Sequence, residues 1–302
     1  MLPDLAYDGN DRQVRASLQK GHEAMTMQIP ERSIVTIADH GERLCIGHKD
    51  TSLSLRPWTT EEEMELGELA EKYRGASMWK TLEMVVSTMV ANFGGLTLWR
   101  ETPDGDYKPA MSELEREVAL QGMYFADMLI AYVHIRIAAL GPDLPVTLKD
   151  PYDNGKEFTF TADLRTIEVE IPKSRDDLTF SYELARPVKR GEKTIRSLVL
   201  GPHRWAVHTA YETSNRLMVP LDMCAHAVNG VPDLLDGAFT MDRKIMASFK
   251  LQKLDLSRIS DALEAAAFGP KLILEVPSPA TGKPIVMPID WQYSNFFKAS
   301  SR

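Results

Sequence analysis

Cysteine is scarce: 302 residues carry only Cys45 and Cys224. Two distant thiols exclude a disulfide framework and suit a reducing compartment, with small buried residues as their ordinary role. Long apolar runs are missing as well. The longest, from residue 128 to residue 140, contains His134 and Arg136. It falls short of the roughly 20 residues that cross a bilayer as a helix. A basic surplus is also absent, since 35 Lys and Arg meet 43 Asp and Glu for a net charge of −8. That balance argues against a sequence-independent grip on nucleic acid, which needs a basic face. The local stretch Lys189-Arg190-Gly191-Glu192-Lys193 is interrupted by Glu192 and reads as a solvated loop or helix start. The opening residues 1–8 have neither the charged nor the apolar region of a signal peptide. These features predict a soluble chain made in the cytoplasm, with no nucleic acid or membrane partner.

Catalytic signatures are missing too. No Gly-rich phosphate loop and no G-x-S-x-G element occurs. The seven histidines form neither an H-E-x-x-H element nor a Cys/His set with zinc spacing. His203 and His208 share neither a helical face nor a strand face. Asp104-Gly105-Asp106 is one acidic turn, with too few oxygens for a calcium loop. Glu61, Glu62 and Glu63 fan out around a helix instead of converging. His134 and Arg136 read as core polar residues that have partners. The expectation is no cofactor, no metal and no catalytic residue.

What remains is ordinary in bulk: 44% hydrophobic and 26% charged residues, with 15 methionines as core filler. The length allows two domains. Most informative are two similar stretches. Gly141-Pro142 stops an apolar helix, because Gly accepts a positive φ and Pro cannot continue the helix. Alternating Leu144, Val146 and Leu148 follow, then a turn over residues 150–155, then Phe158, Phe160 and Asp163-Leu164. Gly269-Pro270 is likewise followed by Leu272, Leu274 and Val276, a turn over residues 277–282, then Ile285, Met287 and Asp290-Trp291. The offset is 128 at the Gly-Pro and 127 at the Asp, so one residue is dropped in the turn. Each stretch predicts helix, stop and β-hairpin. Arg186-Pro187 stands 130 residues beyond Arg56-Pro57, which sets Glu192 opposite Glu62. Asp255, read as a helix N-cap, lies 128 beyond Asp127.

The predicted class is α+β: two similar units of helices plus small β-hairpins, with an N-terminal arm. The boundaries are 1–50 for the arm and short strands, 51–172 for the first unit and 173–302 for its divergent copy. The polar stretch 172–177 separates the units. Strands are expected at 33–37, 43–46, 51–55 and 166–171. A capping box, Thr59 with Glu62 or Thr60 with Glu63, opens a helix that turns Met64, Leu66, Leu69 and Tyr73 inward. Further helices are expected at 78–91, at 112–140 behind a Ser112/Glu115 capping box, and at 205–227, 234–249 and 256–268. A hairpin is expected around residues 102–106. The tail, 292–298, is expected to dock as a short amphipathic helix.

One combination goes further. Residues 52–63 read Ser-Leu-Ser-Leu-Arg-Pro-Trp-Thr-Thr-Glu-Glu-Glu. A helix pair with a Gly94-Gly95 stop follows, then Leu-Ile-Ala-Tyr-Val-His-Ile-Arg-Ile-Ala-Ala-Leu-Gly-Pro over 129–142 and a hairpin. This pattern resembles the baseplate-hub and tail-assembly proteins of contractile-tailed bacteriophages. Those proteins show a strand, an Arg-Pro-(Met)-Thr-x-x-Glu-Glu opening, helices, a Leu-x-x-Arg-x-x-x-x-Gly helix end and a β-hairpin. The resemblance covers roughly residues 50 to 172. Family members often carry Cys-x-x-Cys at the hairpin tip; the tips here have no Cys, so no zinc is expected. The resemblance implies a structural component of a tail baseplate, in its hub or wedge region, without catalysis. It implies a place in the virion after assembly in the host cytoplasm, in multiple copies beside other tail and baseplate proteins. The candidate contact residues are the hairpin tips, Pro151, Tyr152, Asp153 and Asn154 in the first and Pro279, Ala280 and Thr281 in the second. Two alternatives stay open. One is an assembly chaperone absent from the mature particle. The other is an enzyme without a readable motif, which would carry several strongly shifted ionisable groups in one cleft.

Overall fold

The structure, a computed structural model, describes residues 32–40, 52–72, 77–172, 178–190, 193–202, 204–205, 225–228, 253–271, 273–290 and 296–297. The helices described are α1 (Ile37–His40), α2 (Thr60–Lys72), α3 (Met78–Met89), α4 (Glu113–Gln121), α5 (Phe125–Leu140) and α6 (Lys253–Ala266). The strands of the first half are β1 (Arg32–Thr36), β2 (Leu53–Leu55), β3 (Val90–Phe93), β4 (Leu96–Thr97), β5 (Trp99–Glu101), β6 (Tyr107–Pro109), β7 (Asp143–Asp150), β8 (Lys156–Asp163) and β9 (Glu168–Pro172). Those of the second half are β10 (Phe180–Arg190), β11 (Lys193–Leu200), β12 (Ala225–Val228), β13 (Gly269–Pro270), β14 (Ile273–Pro277) and β15 (Pro284–Pro288). They form antiparallel sheets of two or three strands each. The described residues are mixed helix and strand.

Helix α5 sits at the centre because its sequence is apolar around nearly its whole girth. Met128, Leu129, Ile130, Tyr132, Val133 and Ile135 are each 1% exposed or less. Burying side chains of this size contributes about 1.5–3 kcal/mol apiece. Arg136 is fully buried in the same helix. Its guanidinium donates to the carbonyls of Phe296 at 2.7 Å, Gly141 at 2.6 Å and Asp143 at 2.9 Å. It therefore ties the helix end to the first hairpin and to the chain's C-terminal stretch. Phe296 is buried and stacks on Tyr132 with ring centres 5.0 Å apart. The expected docking of the tail holds for residues 296–297; the rest of 292–298 lies outside the described residues.

Both predicted helix starts are capped, with the full reciprocal box at Ser112/Glu115. Thr59 N donates to Glu62 Oε2 at 2.9 Å and Glu61 N to Thr59 Oγ1 at 3.2 Å, which selects Thr59/Glu62 over Thr60/Glu63. Ser112 and Glu115 bond reciprocally at the start of α4. Glu62 also pairs with Arg56 at 2.8 Å. Arg56 in turn donates to Thr88 O and lies 3.7 Å from the centre of the Trp99 ring. The Arg-Pro-Trp-Thr-Thr-Glu stretch is thus one packed unit that starts α2 and pins it to α3 and β5.

Several expectations are corrected. The helix expected over 112–140 is two helices, parted at Gly122-Met123-Tyr124. Carbonyls freed there accept from the second half: Gly122 O from Arg204 Nη1 at 2.7 Å and Met123 O from Trp205 N at 2.7 Å. The helix expected over 78–91 ends at Met89, and Val90 to Phe93 pair with β2 and β4. Met64, expected inward, is 64% exposed, whereas Leu66 is buried. Asp255 is not a cap but the third residue of α6, 1% exposed, accepting from Tyr182 Oη at 2.9 Å and Ala185 N at 2.8 Å. Residues 225–227, expected helical, belong to β12. Arg186-Pro187 does not launch helices as Arg56-Pro57 does. The chain runs through it as β10, where a register shift between Glu183 and Val188 leaves room for a residue with no N–H to donate. Residues 1–31, 41–51, 206–224 and 229–252, with Cys45, Cys224, Glu192 and the expected helix at 234–249, lie outside the described residues.

The central sheet has the order β1-β9-β13, with β9 paired to β1 from Arg32↔Pro172 to Thr36↔Glu168 and to β13 at Gly269↔Glu170. One strand comes from each of the segments 1–50, 51–172 and 173–302. Gly269 is held close: a Cβ there would lie 2.6 Å from the Cβ of Ala126. A second sheet, β10-β11-β12, meets α6 through β10, and Phe180, Tyr182 and Leu184 of the strand and Ile259, Ala262 and Leu263 of the helix are all buried.

Candidate functional site

The two hairpins form where alternation predicts them. In β7–β8, Leu144, Val146 and Leu148 pair with Ala162, Phe160 and Phe158. These side chains turn toward the core, while Thr147, Thr159 and the Lys149–Glu157 ion pair face outward. In β14–β15, Leu274 and Val276 pair inward with Met287 and Ile285. The outward face of this second hairpin is unusually apolar: Ile273 and Val286 are 47% and 58% exposed, with Pro277, Pro284 and Pro288 beside them. Grooves of about 350 Å³ lie on both sides of β14. One is lined by Phe160, Ala162, Lys271 and Glu275, the other by Val146, Thr147, Met287 and Asp290.

The tips meet. Ser278 Oγ donates to Asp150 Oδ2 at 2.6 Å, between residues 128 apart. Asp150 Oδ1 accepts from Tyr152 N at 2.8 Å. Ser278 Oγ in turn accepts from Thr281 N at 3.1 Å. Both side chains are 2% exposed. Burial works against the charge of Asp150, but the Ser278 hydroxyl and the amides of Tyr152, Ala280 and Asp153 outweigh it and hold the carboxyl below its ordinary value. Lys283 Nζ lies 5.4 Å from the centre of the Tyr152 ring and adds a cation–π contact across the gap.

The seven expected contact residues therefore belong to one composite tip. Pro151, Tyr152, Asn154, Pro279, Ala280 and Thr281 are exposed and Asp153 is half-buried. Asn154 takes a φ of 52° and Gly155 one of 75° to close the first turn. Sequence reasoning named the tips but missed the clasp. Its trace was present in Asp150-Pro151 and Ser278-Pro279, two short polar residues before proline at corresponding places.

A second polar cluster lies among α2, α3 and α4. Lys80 Nζ contacts Glu83 Oε1 at 2.7 Å and Glu117 Oε1 at 2.6 Å. Trp205 Nε1 donates to Glu83 Oε2 at 2.7 Å. Burial pushes the Glu83 carboxyl up, against the opposing pull of Lys80 and Trp205. For Lys80, burial favours the neutral form, but hydrogen bonds and charge from Glu117 and Glu83 prevail and raise it. Burial lowers Arg116, which donates to Met111 O at 3.1 Å. The cleft they share measures about 90 Å³, room for about three waters. Among the described residues no group of three or more His, Cys, Asp or Glu is arranged to hold a metal, and no helix is long and apolar enough to cross a membrane.

No protein-family model, no curated protein and no solved structure matches this chain.

Proposed function

We propose that this chain is a structural protein that works through contacts with other proteins, that its paired hairpins are the principal contact surface, and that its setting is the baseplate of a contractile phage tail. The observation that carries the contact role is the Asp150–Ser278 clasp, which joins two exposed tips into a single projection. A projection already ordered before binding loses little conformational entropy when it meets a neighbour. The phage setting rests on the resemblance of roughly residues 50 to 172. We further propose that α6 with β14–β15 is a divergent copy of α5 with β7–β8. The two helices begin 128 residues apart, at Phe125 and Lys253. Asp127 and Asp255 are buried at the third position of each, and a hairpin follows both. The stretch around Arg186-Pro187 stands outside that copy.

Assembly is the test. Residues 151–154 and 279–281 are replaced by short Gly-Ser linkers that leave Asp150 and Ser278 in place. The isolated chain should stay folded by circular dichroism, and the yield of complete particles should fall about tenfold or more, as expected for lost interface anchors. Unchanged yield from both replacements would remove the contact role. Mass spectrometry of purified mature particles addresses the chaperone alternative, because absence of the chain there would make it an assembly factor.

A further inference from the structure

The three most exposed large hydrophobic side chains among the described residues are Leu114 at 70%, Met64 at 64% and Val118 at 61%. All three lie on α2 and α4, which carry nine glutamates; Arg56 pairs with Glu62 and Glu65 and Lys80 with Glu117, and with Lys72 and the buried Arg116 also counted the face keeps an acidic excess. Leu114 and Val118 are one helical turn apart and form a stripe on one face. The two helices come together at the small cleft floored by Lys80 and Glu83, where Glu65 of α2 and Glu113 and Glu117 of α4 share the lining. Met64 shares α2 with Glu65 of that lining, and Leu114 and Val118 share α4 with Glu113 and Glu117. Large apolar groups held in water on a helix face mark a place where another surface docks.

We propose that this two-helix face binds a basic amphipathic helix of a partner protein. Its apolar side chains would cover Leu114 and Val118, and its Lys or Arg side chains would lie among the glutamates. The glutamates select the sign of the partner. A second copy of this chain would meet the face two-fold, acid against acid, in a protein whose net charge is already −8. An anionic lipid surface is repelled for the same reason. This surface is separate from the hairpin tips and does not depend on them.

The full chain is titrated against a fluorescein-labelled peptide of about 18 residues with Leu at helical spacing and Lys on the other face, followed by anisotropy. Saturable binding is expected, weaker as salt shortens the screening length from about 10 Å at 0.1 M. Leu114→Ser with Val118→Ser should weaken it roughly tenfold, the effect of losing interface anchors. Leu114→Lys with Val118→Lys should weaken it further. Both positions are exposed, so melting curves should match the wild type, and the serine pair decides if the lysine pair does not fold. Equal binding by a peptide of the same composition with scrambled order would overturn the proposal, as would undiminished binding by the serine pair. Wild-type dimerisation in sedimentation velocity that the serine pair abolishes would also overturn it, by giving the face to a second copy. None of these readouts uses particle assembly, so failure here leaves the hairpin reading standing, and the reverse.

Discussion

At the scale of single residues, Arg136 and Asp150 show two ways of placing a charge inside a protein. Arg136 is surrounded by carbonyl oxygens that its own fold supplies, on Phe296, Gly141 and Asp143. Removing it strands those acceptors and leaves a cavity beside α5. Arg136→Ala should cost about 3–5 kcal/mol in urea unfolding, the range for breaking a buried charged network; a loss below about 1 kcal/mol would show the three bonds to be incidental. Asp150 is instead held charged by donors from both hairpins. Its folded carboxyl lies below the ordinary value, so the clasp is fully present above about pH 4 and is lost as pH falls through the lower folded value. Amide protection of Tyr152 and Ala280 should therefore stay constant from pH 8 to about pH 5 and collapse only in stronger acid. In Asp150→Asn it should be lower at every pH and no longer respond to acid. A wild-type loss of protection between pH 5 and 7 would rule out the clasp as the controlling group.

At the scale of elements, the two Gly-Pro stops differ in what they hold. Gly141 has φ 80° and ψ 174°, a region nearly confined to glycine, with nothing within 4 Å of where a Cβ would lie. Gly141→Ala should cost about 2 kcal/mol by backbone strain alone. Gly269 combines φ 122° with the Ala126 contact. Gly269→Ala should cost roughly 2 kcal/mol more, because overpacking adds to strain. Equal melting temperatures for the two variants would remove the close packing of β13 on α5. The elements legible in the sequence are those set by local chemistry: alternation in β7, β8, β14 and β15, and the capping hydroxyls of Thr59 and Ser112. The misread ones answer to distant partners. The helix breaks at Gly122-Met123, whose carbonyls accept from Arg204 and Trp205 respectively, Val90 leaves helical backbone to pair with Leu55, and Pro187 stays in a strand because β11 shifts register beside it. No window of neighbouring residues contains those contacts.

At the scale of the whole molecule, the sheet β1-β9-β13 binds three segments that the sequence presents as successive units. The main core likewise runs from Ile37 through α5 to Phe296. The tip residues were legible as exposed turns, but their union was not, since Asp150 and Ser278 meet only after the chain has returned across this core. The exposed tip residues thus belong to hairpins packed on one core, and the role proposed for them is contact with neighbours. The direct test places a photo-crosslinking amino acid at Tyr152 or Thr281 in the proposed tail assembly, with exposed Lys108 as the control position. Both tip positions should give crosslinks to a neighbouring protein under irradiation, and Lys108 should give few or none. Particles that contain the chain yet show no tip crosslinks, or tip yields no higher than at Lys108, would contradict the account.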